Sequence, residues 1–531
     1  MGFAANRVGS LRSFLENRLL KTDSAFSQEQ SMTHSPYLRT ISRSEGRRNC
    51  SANGFRTTAN LGIIEALRTC TAQLNLNSFA EVHLLGSSCL IRYTRSRGDQ
   101  LFNLPIIFDL RYWQRRDLSV PEKGYIGFDN EEGGHCESDA MRAVAERAKI
   151  PGSATVGIEN RVAEMKRAGK NVISLAAGQP DFVTPQHIRE YAKKALDEGY
   201  TFYPPSRGLP ELREVISKKV AKENGIEADP NSEIIVTVGG KQAIFSSILT
   251  LVDAGDEVIV ADPSWVTYEP CVKLAEGRVV PVPVSEQNQF RLMAEDILKA
   301  VTSRTKLIII NSPNNPTGSV LRREDLKEIA DVACDKDLFV ISDEIYEYLV
   351  YDGLKHSSVG SLPGMKERTI TANGFSKAYS MTGWRLGYLV GPKQIVQHIL
   401  AIHEHSVTGP CSFAQKAAAQ AMNDPRSEKS IESMVTEFEK RRNVMVQGLN
   451  KIPGITCVKP SGAFYSFANI SALGRNSMQI ANHLLEKALV ATVPGSAFGE
   501  RGEGYLRLSF ANSAENITEA LDRIRSALGK L

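Results

Sequence analysis

The sequence predicts an α/β protein built on a largely parallel sheet flanked by helices. Two observations carry this reading. From Ser138 onward, short and nearly all-apolar runs recur: Glu233-Ile-Ile-Val-Thr-Val, Glu257-Val-Ile-Val-Ala, Lys306-Leu-Ile-Ile-Ile, Leu338-Phe-Val-Ile-Ser and Thr369-Ile-Thr-Ala. Strands buried on both faces have this composition. Between the runs lie amphipathic helical stretches, and strands alternating with helices imply βαβ units. Val144-Ala-Glu-Arg-Ala and Ile158-Glu-Asn-Arg-Val-Ala-Glu-Met-Lys open the region as helical segments.

Composition narrows the function classes. The 531 residues are 42% hydrophobic and 23% charged, with a net charge of +4. So weak a charge argues against a nucleic-acid partner. No apolar run reaches the length that spans a membrane. The eight cysteines are scattered and form no CxxC pair, as reduced thiols in an intracellular compartment would be. No metal is expected: there is no HExxH pattern, and His403-Glu404-His405 reads as a solvated helix face.

The N-terminal part differs. Residues 1–60 carry eight arginines against Glu16, Asp23, Glu29 and Glu45, with frequent serine and threonine. That is the composition of a disordered leader or a transit peptide, and would place the protein in a plastid or mitochondrion. Without such an address it would be cytoplasmic. Residues 61–137 hold apolar runs without a sustained period, such as Glu81-Val-His-Leu-Leu and Pro105-Ile-Ile-Phe, and stay unassigned.

Ligands of open α/β sheets bind beyond the carboxyl ends of the strands. The first run is followed by Gly239-Gly240-Lys241-Gln242 and a helix expected from Ala243, a tight turn whose free amides suit an anion. The second is followed by Asp262-Pro-Ser-Trp265, whose indole can cover a planar ligand or fill a core. The third leads into Asn311-Ser-Pro-Asn-Asn-Pro-Thr-Gly318, a rigid polar loop in which Asn315 can donate to a ring oxygen. The fourth ends at Asp343-Glu-Ile-Tyr346, a carboxylate that needs a partner. The fifth leads to Ser376-Lys377 and, eight residues on, Arg385. A desolvated lysine beside a cation loses proton affinity and can form an imine, while arginine forks a phosphate. Each residue alone has a structural explanation, but five candidates on five successive strand ends share none.

Ser376-Lys377 followed by Gly383-Trp-Arg385-Leu-Gly387-Tyr388 resembles the signature of class I, fold type I aminotransferases, and the likeness runs from about Met141 to the C-terminus. The resemblance implies pyridoxal 5'-phosphate as cofactor. It implies that Lys377 carries the cofactor as a Schiff base and shuttles the proton, and that Asp343 holds the pyridine nitrogen. Tyr346 and Asn315 would bind the 3-oxygen, and Trp265 would stack. Gly240, Lys241, Arg385 and Ser376 would surround the phosphate. Tyr203, in Phe202-Tyr-Pro-Pro-Ser-Arg-Gly208, resembles the tyrosine that reaches the neighbouring subunit's phosphate, which implies a homodimer with shared sites. Gly178 and Arg507 resemble the groups that bind the substrate α-carboxylate. The family also implies a large cofactor domain, about 186–430, and a smaller α/β domain from about 138–185 and 431–531 that closes on substrate. One position departs: Gly374 stands where animal-type aspartate enzymes have serine.

The likeness is nearest to the bacterial and plastid branch of aspartate aminotransferases. There, a lysine at Lys241 reads the distal carboxylate, and a threonine matching Thr155 in Ser153-Ala-Thr155, before the first helix, faces the substrate. Aspartate with 2-oxoglutarate, in a ping-pong cycle, is therefore the implied reaction, with prephenate as a further substrate. An aromatic or broad-range aminotransferase and a lyase of the same fold are rivals within the cofactor class. A non-catalytic aminotransferase-like regulator is the rival outside it, although residues 1–137 lack a helix-turn-helix pattern.

Overall fold

A computed structural model describes residues 78–85, 88–97, 100–109 and 144–530. The leader read in residues 1–60 lies outside them. The chain divides into a unit of residues 1–138 and a unit of residues 139–531. The described part of the first is a three-stranded antiparallel sheet, β1 (Ser78–Leu85), β2 (Ser88–Arg97) and β3 (Gln100–Asp109), in that order. The two apolar runs left unassigned at 81–85 and 105–108 fall on β1 and β3.

In the second unit, β4 (Ile173–Ser174) precedes a seven-stranded sheet. Its strands are β5 (Ile234–Thr237), β6 (Glu257–Asp262), β7 (Arg278–Pro283), β8 (Thr305–Asn311), β9 (Phe339–Asp343), β10 (Thr369–Gly374) and β11 (Gly387–Val390). The order is β5-β11-β10-β9-β8-β6-β7. Only β11 runs against the rest. All five expected strands are present. The two that sequence reading passed over are β7, an edge strand bearing Pro281 and Pro283, where missing amide donors cost little, and the short β11.

Period-two alternation divides each strand between two cores. Ile308 and Ile310 pack with Ile329 and Ala333 on one face, and Leu307 and Ile309 pack with Ile244, Ile248 and Val272 on the other. Each such side chain contributes about 1.5–3 kcal/mol by burial, so helices must cover both faces. A four-stranded sheet, β12 (Thr456–Cys457), β13 (Tyr465–Asn469), β15 (Val493–Pro494) and β16 (Tyr505–Ser509), builds a further core around Phe438, Phe464 and Phe510. Its order is β12-β13-β16-β15, while β14 (Val490–Ala491) pairs with β4.

Four local expectations are corrected. Val144–Ala148 is no α-helix: one 3-10 turn, Glu146–Ala148, forms before Pro151 disfavours helical backbone at the residue before it. The next helix is Ala154–Arg167, so Thr155 lies in its first turn and not ahead of it. The helix after β5 starts at Gly239, not Ala243, because Gly239 takes φ +72° and turns the chain from strand to helix in one step. Finally, His403 is fully buried and bonds to Gln242 through Nδ1, while Glu404 and His405 are exposed.

Candidate active site

The sheet register gathers the strand ends. Asn311 stands opposite Asp343, and Asp343 opposite Ala372. Every residue read as a site residue, except Tyr203, lines one cavity of about 550 Å3. That size is typical of a site for a cofactor with its substrate. Tyr203 is 90% exposed on the surface of the same unit.

Lys377 follows β10 and projects into the cavity, where its Nζ donates to the carbonyl of Gly178. Its ammonium also faces the rings of Tyr346 and Phe464, each 5.5 Å from the ring centre. Burial, then Arg507 and Arg385, pull its pKa down to about 7. Desolvation and like charge both disfavour the ammonium, so a large share of the amine is neutral at physiological pH.

Asp343, at the end of β9, is 6% exposed. Its Oδ2 accepts from the Tyr268 hydroxyl at 2.7 Å and its Oδ1 from the Ile345 amide at 3.3 Å. Burial raises its pKa to about 6, against the pull of the Tyr268 bond. Tyr268 was not foreseen. It sits three residues past Trp265, and the two rings meet edge to face at 5.3 Å. That Trp-x-x-Tyr spacing was the available signal.

The loop after β8 is tied down by Asn311: its Nδ2 donates to the Asp343 carbonyl at 3.0 Å and its Oδ1 accepts from the Asn315 amide at 2.9 Å. Arg507, on β16, is 2% exposed. Its guanidinium donates to Asn315 Oδ1 at 3.0 Å and to the Ala176 carbonyl at 2.6 Å, and its Nε has no partner. It also lies 4.4 Å over the ring of Tyr465, whose hydroxyl bonds to that of Tyr346 at 2.8 Å. Tyr465 is the second residue that sequence reading missed. It comes from the other sheet, and nothing near it in sequence marks it. Burial, reinforced by the facing Tyr465, raises the Tyr346 pKa well above the ordinary phenol range.

At the opposite wall, Lys241 stands 5.1 Å over the Trp265 ring. Arg385 has φ +53° and donates to the Thr382 carbonyl at 2.9 Å. Its guanidinium lies so close to Gly239 that a Cβ there would come within 2.7 Å of it. The helix start, Arg385 and Ser376 thus leave a cradle with backbone amides, a fork and a hydroxyl, which is the donor set for a phosphate. Gly374 faces Gly387 across the β10–β11 pair, and a Cβ would sit 3.0 Å from the Gly387 Cα and the Leu386 carbonyl. The serine of the animal-type pattern would therefore press on the neighbouring strand, which would have to give by a few tenths of an ångström.

Comparisons with known proteins agree with this geometry. The family model "Aminotransferase class I and II" matches residues 170–524. An aspartate aminotransferase of Pyrococcus abyssi is 51% identical over 359 residues, covering 68% of this chain and 92% of the relative. Aromatic-amino-acid aminotransferase 2 of Thermococcus litoralis is 48% identical over 359 residues, covering 68% and 92%. The solved structure of aspartate aminotransferase from Thermus thermophilus with maleate matches with a TM-score of 0.70 and 41% identity, over 73% of this chain and all of that one. A buried lysine of lowered pKa, a buried aspartate, and cations that form no salt bridge among the described residues line the same cavity, and the matches to family and relatives rest on this same region: this chain is an enzyme that belongs to the class I and II aminotransferase family.

Proposed function

We propose that the chain transaminates a dicarboxylic amino acid, aspartate with 2-oxoglutarate as acceptor, using pyridoxal 5'-phosphate carried on Lys377 in a homodimer with shared sites. One observation carries the substrate reading. Arg507 is a buried guanidinium whose hydrogen bonds go only to neutral oxygens, and Lys241 is a second cation in the same cavity. Among the described residues neither forms a salt bridge with a side-chain carboxylate. A buried charge without a counter-ion is costly, and two separated cations suit a ligand with two carboxylates.

The residues present fit the cofactor. Lys377, Asp343, Tyr346, Asn315 and Trp265 would hold its ring, and Gly240, Lys241, Ser376 and Arg385 its phosphate. When bound, the cofactor supplies an electron sink for the bond-breaking at the substrate α-carbon. Asp343 would keep a proton at the ring nitrogen, a task that a carboxylate of raised proton affinity in a dry pocket favours. Lys377, its pKa lowered to about 7, would accept the substrate α-proton on Nζ and return it, as general base and then acid. Arg507, with Gly178 beside it, would fix the α-carboxylate, and Thr155 and Lys241 would face the distal one. Tyr203, exposed on its own protomer, would be covered by a second copy of the chain. Prephenate would be accepted through the same two cations.

The test is to add aspartate, phenylalanine and prephenate separately to the appropriate cofactor form, read the visible spectrum, and determine kcat/KM for each. Aspartate should be preferred, and Lys241→Leu should lower kcat/KM for aspartate roughly 10-fold more than for phenylalanine, about 1.4 kcal/mol. A spectrum that responds to phenylalanine and not aspartate would overturn the substrate and leave an aromatic aminotransferase. The lyase reading predicts elimination products without oxo-acid exchange.

A further inference from the structure

Behind Asp343 lies a buried polar cluster that the reaction does not use. Asp343 and Tyr346 face the cavity, while Glu344 and Glu347, from the same turn, point to its far side. Glu344 Oε1 accepts from the hydroxyls of Ser342 (2.8 Å) and Ser358 (2.6 Å). Its Oε2 accepts from Asn224 Nδ2 at 3.1 Å and contacts His356 Nε2 at 3.0 Å. Glu347 pairs with Lys219 and accepts from Asn224 Nδ2 at 2.8 Å. All four of these charged side chains are at most one-tenth exposed. Glu344, Glu347 and His356 are the group among the described residues with metal-ligand spacing. Yet both oxygens of each glutamate already accept hydrogen bonds, and the Lys219 ammonium supplies the positive charge an ion would bring.

We propose that His356 is a positioning residue for the reaction: through its Nε2–H bond to Glu344 it holds the 343–347 turn and thereby sets the aim and the electrostatic surroundings of Asp343. This deepens the role proposed for Asp343 and rests on it. The geometry leaves little freedom at either end of the link. Glu344 is anchored to the sheet, its amide donating to the Ala372 carbonyl at 2.9 Å, and the Glu347 amide closes the turn on the Glu344 carbonyl at 2.9 Å. The next residue back is Asp343. Charged groups facing His356 are Glu344, Glu347 and Lys219, with Glu223 beyond, 3.7 Å from Lys219. Burial opposes its protonation most, but Glu344 and Glu347 together raise its pKa. His356 faces Glu344 as Lys219 faces Glu347. Without it, the Glu344 carboxylate, one residue from Asp343, would lose that hydrogen-bond partner.

The experiment uses the cofactor-loaded protein and two variants. Glutamine can keep an amide donor where His356 Nε2 lies, and alanine cannot. His356→Ala should shift the apparent pKa of the bound chromophore by at least about half a unit and lower kcat about 10-fold with KM nearly unchanged. His356→Gln should restore kcat towards wild type. If His356→Ala does not fold, Glu344→Gln should shift the chromophore titration instead. A His356→Ala titration that overlays the wild type, with only Tm lowered, would make His356 a purely structural residue and overturn the proposal. A wild type that retains no pyridoxal phosphate after gel filtration would sink the cofactor reading, and this proposal with it.

Discussion

The Tyr268 hydroxyl donates to Asp343 Oδ2 at 2.7 Å, and its ring meets that of Trp265 edge to face. One short segment after β6 therefore serves two purposes. Trp265 offers a flat wall to the cavity, and Tyr268 fixes the carboxylate behind it.

Removing that hydroxyl takes away the largest of the interactions that oppose the burial of Asp343. In Tyr268→Phe the carboxyl pKa should rise above its value of about 6. Loss of a hydrogen bond to a charged group costs about 1.5–3 kcal/mol. Fluorescence titration should show pyridoxal phosphate bound roughly 10-fold more weakly, with the deficit growing below pH 7 as Asp343 protonates.

Lys377 yields a second pH prediction, from a pKa shifted the other way. Its pKa in the folded chain, about 7, lies below the ordinary lysine value of 10.5. The unfolded chain thus binds the proton more tightly, and stability due to Lys377 rises with pH between these values. It is fully present above 10.5 and is lost as pH falls through 7. In cofactor-free protein, Tm should gain more between pH 6 and 8 in wild type than in Lys377→Met. Borohydride trapping of pyridoxal phosphate on Lys377, read by peptide mass, should rise through pH 7. Lys377→Ala should lower kcat at least about 10^3-fold, within the range of a lost general base.

Arg507 should tolerate even lysine poorly. Arg507 donates from two different nitrogens to Asn315 and Ala176, and a single ammonium cannot reproduce that fork. Arg507→Lys should lower kcat/KM for aspartate and for 2-oxoglutarate alike, by about 100-fold or roughly 2.7 kcal/mol. Steady-state kinetics with both substrates check this. A loss confined to one substrate would place the α-carboxylate elsewhere.

Gly374→Ser tests the strand contact. The added Cβ meets backbone atoms of β11 at 3.0 Å. Overpacking of this kind costs about 1–3 kcal/mol, so the urea midpoint should fall even though a phosphate-reaching hydroxyl has been added.

The sequence was most legible where local chemistry is forced. Short, β-branched apolar runs alternating with helical stretches fit two-sided buried strands, and polar residues just past them then lie at the sheet's carboxyl edge. That is why Asp343, Lys377, Arg385 and Asn315 were legible at the strand ends; Arg507, inside β16, was legible only through the family resemblance, and all five line one cavity. Boundaries were less legible. Gly239 starts its helix four residues early because a positive φ merges turn and helix, and His403 looked solvated because its neighbours Glu404 and His405 are.

The sequence by itself thus determined the fold class, the family and the strand-end residues, since periodicity and motif spacing are local along the chain. Only the tertiary structure decided what surrounds those residues. Tyr268 meets Asp343 across 75 positions, Tyr465 meets Tyr346 across 119, and Glu344 meets Asn224 across 120. Such pairings, and the desolvation that moves Lys377 towards pH 7 and Asp343 towards 6, arise from packing between elements, and no local pattern in the sequence encodes them.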